Sequence, residues 1–151
     1  MGSHVTIGGE NVMPNVIGLL KQDHRKVEQL FGAFERDRQP SISEEICAQL
    51  ELHTIAEEQF VYPALRERVS DGKKLAEEAG HEHAEAKQII GRVKRTSDPQ
   101  HLAEVVAELQ KAIEHHVEEE EGTVFPKMES DLGKIELEAI GANVQEFKGS
   151  A

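Results

Sequence analysis

Apolar residues recur at intervals of three and four along most of the chain. No stretch alternates β-branched with polar residues, so the pattern predicts helices joined by short turns. The first helix, over residues 15–37, carries Val16, Leu19, Leu20, Val27, Leu30, Phe31 and Phe34 as the stripe a buried face needs, and Gln39-Pro40 ends it. The second opens on Ser41-Ile42-Ser43-Glu44, a capping-box pattern, and reaches residue 69 with Ile46, Leu50, His53, Glu57 and Phe60 along one side. A turn at Ser70-Asp71-Gly72 leads into the third, over residues 73–95, marked by Leu75, Ala79, Ala86, Ile89, Ile90 and Val93. Asp98-Pro99 supplies an acceptor at the N-cap and proline at the first helical position, which starts a fourth helix running to about residue 128. Beyond Asp131-Leu132-Gly133 a weaker pattern through Ile135, Ile140, Val144 and Phe147 predicts a short fifth helix.

Long amphipathic helices with short connections favour antiparallel neighbours. The expected architecture is therefore all-α: an up-down-up-down four-helix bundle over residues 14–130, with a short C-terminal helix and tail over 131–151. Residues 1–13 are expected to be loosely ordered. Residues 1–4 read as a tag remnant, so His4 is not a candidate ligand.

A chain of 151 residues fits one domain that buries its own core. The single cysteine, Cys47, leaves no intramolecular disulfide and no thiolate-rich metal site, which favours a reducing, cytoplasmic setting. The N-terminus shows no signal-peptide pattern, and the apolar runs are too short to span a bilayer. A formal charge of −12 repels phosphate backbones and anionic lipid, so neither nucleic acid nor membrane is an expected partner.

The chemistry lies in an internal repeat. His53-x-x-x-Glu57-Glu58 ending in Tyr62-Pro63 recurs at one constant offset as His116-x-x-x-Glu120-Glu121 ending in Phe125-Pro126. On the other two helices, His24 precedes Val27, Leu30 and Phe31 as His83 precedes Ala86, Ile89 and Ile90, whereas His81 would place Lys87 in an apolar position. The chain thus holds two helical hairpins, each giving one histidine from its first helix and a His-x-x-x-Glu from its second. Residues four apart lie about 40° apart around a helix, so His and Glu share a face and reach one centre. His81 and His115 fall outside this register and are expected at the surface.

Left unpaired, buried carboxylates and imidazoles carry a desolvation cost that shared coordination offsets. His24, His53, Glu57, His83, His116 and Glu120 are accordingly the candidate metal ligands. This nitrogen and oxygen set suits iron, manganese, zinc or cobalt, and disfavours calcium or copper(I). If two octahedral ions share the six side chains and a bridging oxygen, about two positions remain for solvent or a small ligand. Glu58, Glu121 and Tyr62 are candidates to orient the ligands by hydrogen bonding. Pro63 and Pro126 cannot donate to the carbonyls of Gln59 and Gly122, so each should kink or loosen its helix just beyond the site.

With Asp23-His24-Arg25-Lys26-Val27, Glu82-His83 and the two His-x-x-x-Glu-Glu segments in place, the sequence resembles the hemerythrin-like, His-His-Glu cation-binding family over residues 15–128. The resemblance implies a non-haem di-iron centre, with both glutamates bridging two oxygen-linked iron ions and the histidines as terminal ligands. Oxygen carriers of the family add a histidine four residues before the third-helix ligand, where this chain has Ala79. That departure argues against reversible oxygen storage and toward the bacterial and iron-sensing branches. The leading expectation is a protein that binds dioxygen, nitric oxide or iron itself for sensing, delivery or storage. An enzyme that decomposes hydrogen peroxide or oxidises ferrous iron is the alternative, and a metal-free structural bundle the third reading.

Overall fold

The computed structural model describes residues 5–7, 10–12 and 14–150. A small antiparallel hairpin pairs β1 (Val5–Ile7) with β2 (Glu10–Val12), Val5 opposite Val12. Apart from these strands, the segment expected to be loosely ordered lies outside the described residues. The body is helical: α1 (Val16–Asp37), α2 (Pro40–Ala56), α3 (Tyr62–Arg68), α4 (Gly72–Arg95), α5 (Pro99–Glu119), α6 (Phe125–Asp131) and α7 (Lys134–Ser150). α2 runs into α3, and α5 into α6, through single π-helical turns at Glu57–Val61 and Glu120–Val124. The four long rods α1, α2–α3, α4 and α5–α6 form the bundle, and α7 packs along α1 and against α2. Among the described residues no helix is long and apolar enough to cross a membrane.

The helix ends follow from local chemistry, with one correction. Asn15 caps α1 by accepting from the Ile17 N–H at 2.8 Å, and Asp98 caps α5 by accepting from His101 N–H at 3.0 Å. The capping box expected at Ser41–Glu44 does not form. Pro40 already occupies the first turn of α2, and the Ser43 hydroxyl turns back to donate to the Pro40 carbonyl. Arg38, in the left-handed region at φ 56°, reverses the chain between α1 and α2.

The fifth helix is also longer than expected, 17 residues. Its buried Leu137, Ile140 and Val144 pack into the core cluster that includes Val16 and Leu20, and its far end is held where Lys148 pairs with Asp23. The bundle interior has two apolar plugs. One gathers Val16, Leu20, Leu65, Phe125 and Met128, the other Phe31, Ile46, Leu50, Ile90 and Leu109. Burying each such side chain contributes about 1.5–3 kcal/mol. Between the plugs, on the same rods, lies a layer of buried polar residues.

Candidate metal centre

That layer consists of His24 on α1, His53 on α2, Glu57 and Glu120 at the starts of the π-turns, His83 on α4 and His116 on α5. All six predicted residues are buried, Glu57 completely and none more than 7 % exposed. His81 and His115 are exposed. The heptad-like register that separates His83 and His116 from their neighbours in the sequence thus coincides with burial in the fold.

The six side chains form two adjoining triads. His24, His53 and Glu120 bring one donor atom each within 4.8 Å of one another, as do Glu57, His83 and His116. The carboxylates tie the triads together. Glu57 Oε1 lies 3.2 Å from His53 Nε2 and 3.1 Å from His83 Nε2, while Glu120 reaches His24 Nε2 at 2.9 Å through Oε1 and His116 Nε2 at 3.3 Å through Oε2. Each glutamate therefore stands between imidazoles of both groups.

The opposite edge of every imidazole faces a second carboxylate. Nδ1 of His24 meets Glu121 at 2.7 Å, that of His53 meets Asp23 at 2.8 Å, that of His83 meets Glu58 at 3.2 Å and that of His116 meets Glu82 at 2.7 Å. An ionised carboxylate only accepts, so each Nδ1–H donates and each Nε2 is turned to the centre. The scheme obeys the repeat. Asp23 and Glu82, each preceding a site histidine, serve the histidine of their own hairpin. Glu58 and Glu121, each following a site glutamate, cross to the other hairpin.

Sequence reasoning anticipated Glu58 and Glu121 but missed Asp23 and Glu82. Their signal was available: both sit one position before the register histidines, an acidic residue at the same point of each repeat. Tyr62 lies inside the cluster, its hydroxyl 2.8 Å from His83 Nε2. Burial, reinforced by Glu57 and Glu120, pushes the phenol far above its usual range, so the O–H stays protonated and donates to that nitrogen.

The inward atoms fit a cation. His24 Nε2, His53 Nε2, His116 Nε2, Glu57 Oε2 and Glu120 Oε1 are buried and make no well-directed hydrogen bond, although each of these imidazoles stands 2.9–3.3 Å from a glutamate oxygen. Such clustering of poorly satisfied polar atoms is rare in a folded interior, and positive charge at the centre satisfies imidazole lone pairs and carboxylate oxygens together. In the metal-free chain protons take that place. Burial disfavours charge on His53, yet Glu57 and Asp23 outweigh it and hold the imidazole well above its usual value of 6.5. Burial likewise opposes charge on Glu57, but His53 and His116 keep the carboxyl well below 4.5.

The π-turns place these groups. Tyr62 N–H bonds to the Glu57 carbonyl and Phe125 N–H to that of Glu120, five residues back in each case. Residues five apart in a regular α-helix point about 140° away from each other, but across a π-turn they share a face. Tyr62 and Phe125 therefore join the core below the glutamates, and Phe125 stacks on His24 at 5.9 Å between ring centres. The loosening expected from Pro63 and Pro126 takes this form, one turn before each proline.

The Hemerythrin HHE cation binding domain model matches residues 15–128. A protein named DNA nickase from Nostoc sp. is 28% identical over 143 residues, and the chain spans 40% of its length. An uncharacterized hemerythrin-like protein of Schizosaccharomyces pombe is 25% identical over 142 residues, 90% of this chain and 70% of that protein. No solved structure matches the chain significantly. The buried His and Glu groups can hold a metal centre, and the chain belongs to the hemerythrin family of HHE cation-binding domains.

Proposed function

We propose that the chain binds two iron ions, one of which would be held by His24, His53 and Glu120 and the other by Glu57, His83 and His116. The observation that carries this reading is the pair of adjoining triads, each with two imidazoles and a carboxylate, whose carboxylates contact imidazoles of both groups. Four imidazoles and two carboxylates without thiolate are a donor set suited to iron. Bound there, an iron pair supplies redox electrons and open coordination positions to a small ligand. The outer carboxylates fix each imidazole with Nε2 inward, and Tyr62 sets a hydroxyl donor beside His83.

The function proposed is reversible binding of dioxygen, nitric oxide or iron itself, used for sensing, delivery or storage in the cytoplasm. Ala79 presents no side chain able to add a further ligand, which argues against the oxygen-carrier role. The name of the Nostoc protein does not carry over, because the match covers 40% of that protein and the charge of −12 disfavours a phosphate backbone.

Optical titration of the iron-loaded protein with dioxygen, nitric oxide and hydrogen peroxide tests the reading. Stoichiometric spectral changes without turnover support a binding protein. Steady-state oxygen release from peroxide, in proportion to bound iron, replaces it with the enzyme.

A further inference from the structure

The two hairpins repeat each other, but their outer sides do not. Beside α4 and α5 a cavity of about 250 Å³ leads to the centre, with Glu120, His116 and Tyr62 at its inner end and Ala79 in its wall. Glu78, Glu82, His115 and Glu119 line the rest of it, together with the apolar Leu75 and Val124. In the first hairpin the repeat puts Leu19 where the second has Glu78, Leu20 where it has Ala79, Leu52 where it has His115 and Ala56 where it has Glu119. That apolar side is closed. α7 lies against α1, α2 and the first π-turn, Phe147 meets Phe60 at 5.8 Å, and Lys148 pairs with Asp23. α7 makes no comparable contact with α4 or α5.

We propose that this cavity is the loading port for the metal, a passage that takes a hydrated divalent cation from solvent to the centre. The inference rests on the metal-binding reading above. Three features suit such a cation. The walls carry carboxylates: among the described residues neither Glu78 nor Glu119 has an ion-pair partner within 4 Å, while Glu82 meets His115 and His116. At the inner end, Glu120 Oε1 and His116 Nε2 are buried without a well-directed hydrogen bond, which gives the ion a destination. By volume the cavity exceeds six waters at about 30 Å³ each, enough for an ion with its first hydration shell. A funnel of one charge sign raises the arrival rate of the opposite sign and loses that effect as salt screens it.

Stopped-flow uptake of ferrous iron under anaerobic conditions, read with a chromophoric chelator as competitor, tests the port. Glu78→Gln combined with Glu119→Gln is expected to slow uptake about tenfold at low ionic strength, with the difference shrinking at high salt. Ala79→Leu, which narrows the passage without touching charge, is expected to slow uptake at every salt concentration. All variants should reach the final iron content of the wild type, and Glu85→Gln on the exposed face of α4 should load at the wild-type rate. Wild-type uptake rates in both the double variant and Ala79→Leu overturn the port while leaving the metal centre standing. A wild-type chain that takes up no iron overturns both.

Discussion

At the scale of single residues, what matters is which atom of each imidazole faces inward. Four carboxylates hold Nδ1, so their removal should loosen ligands that they never replace. Asp23→Ala is expected to weaken metal affinity about 10- to 100-fold by equilibrium competition with a chelator, whereas His81→Ala on the surface should leave it unchanged. Protonation follows the same geometry. In the metal-free protein the raised His53 and His116 contribute stability that is fully present below the unfolded value of 6.5 and lost as pH rises through their folded values. The lowered Glu57 contributes above its unfolded value of 4.5 and loses that contribution as pH falls through its folded value. The Tm of metal-free protein should therefore be highest between those two values and decline on either side; a Tm that climbs steadily from about pH 6 to 9 would contradict the pairing. Metal requires neutral imidazoles, so binding should release protons and strengthen as pH rises. Of this layer, the six inward residues were legible because buried polar groups in register on four helices stand out against an apolar stripe. Asp23 and Glu82 were not, because an acidic residue beside a helical histidine looks like any solvated position until the neighbouring rod is in place.

At the scale of the element, the sequence announced most helices but not their irregularities. Asp98-Pro99 specified a start that the structure keeps, since cap and proline act locally. Ser41–Glu44 specified one that it does not, because Pro40 had already begun the helix and left Ser43 inside it. The π-turns were visible only as prolines. A period of 3.6 residues puts Tyr62 and Phe125 off the buried face, and only the extra residue in each turn returns them to it. The hairpin of β1 and β2 was not anticipated, since three-residue strands give too short an alternation to register. The length of α7 was underestimated because its apolar pattern is sparse, and tertiary contacts hold its last turns. One contact shows how closely it fits: a Cβ at Gly141 would overlap the Pro14 carbonyl oxygen. Gly141→Ala should push α7 from α1 and lower stability by on the order of 2 kcal/mol in chemical denaturation. A wild-type midpoint would mean that α7 docks less tightly than described.

At the scale of the whole molecule, two similar hairpins build a pseudo-symmetric centre, and α7 breaks the symmetry by covering one of them. The bundle was predictable from periodicity and short connections, and the centre from the repeat. The asymmetry was not, because it depends on which hairpin the C-terminal helix chooses to cover. The charge of −12 also acts at this scale. The chain should neither retard duplex DNA nor nick a supercoiled plasmid at about 0.15 M salt, whatever the activity of the longer Nostoc protein, and conversion of plasmid to open circles would refute that. The central claim is that six inward side chains hold two metal ions, and elemental analysis of protein produced with added iron measures it most directly. About two irons per chain in the wild type, with a clear loss in His53→Ala and in His116→Ala, is the result expected. Near-zero metal in the wild type, or full content retained when either histidine is removed, would contradict it.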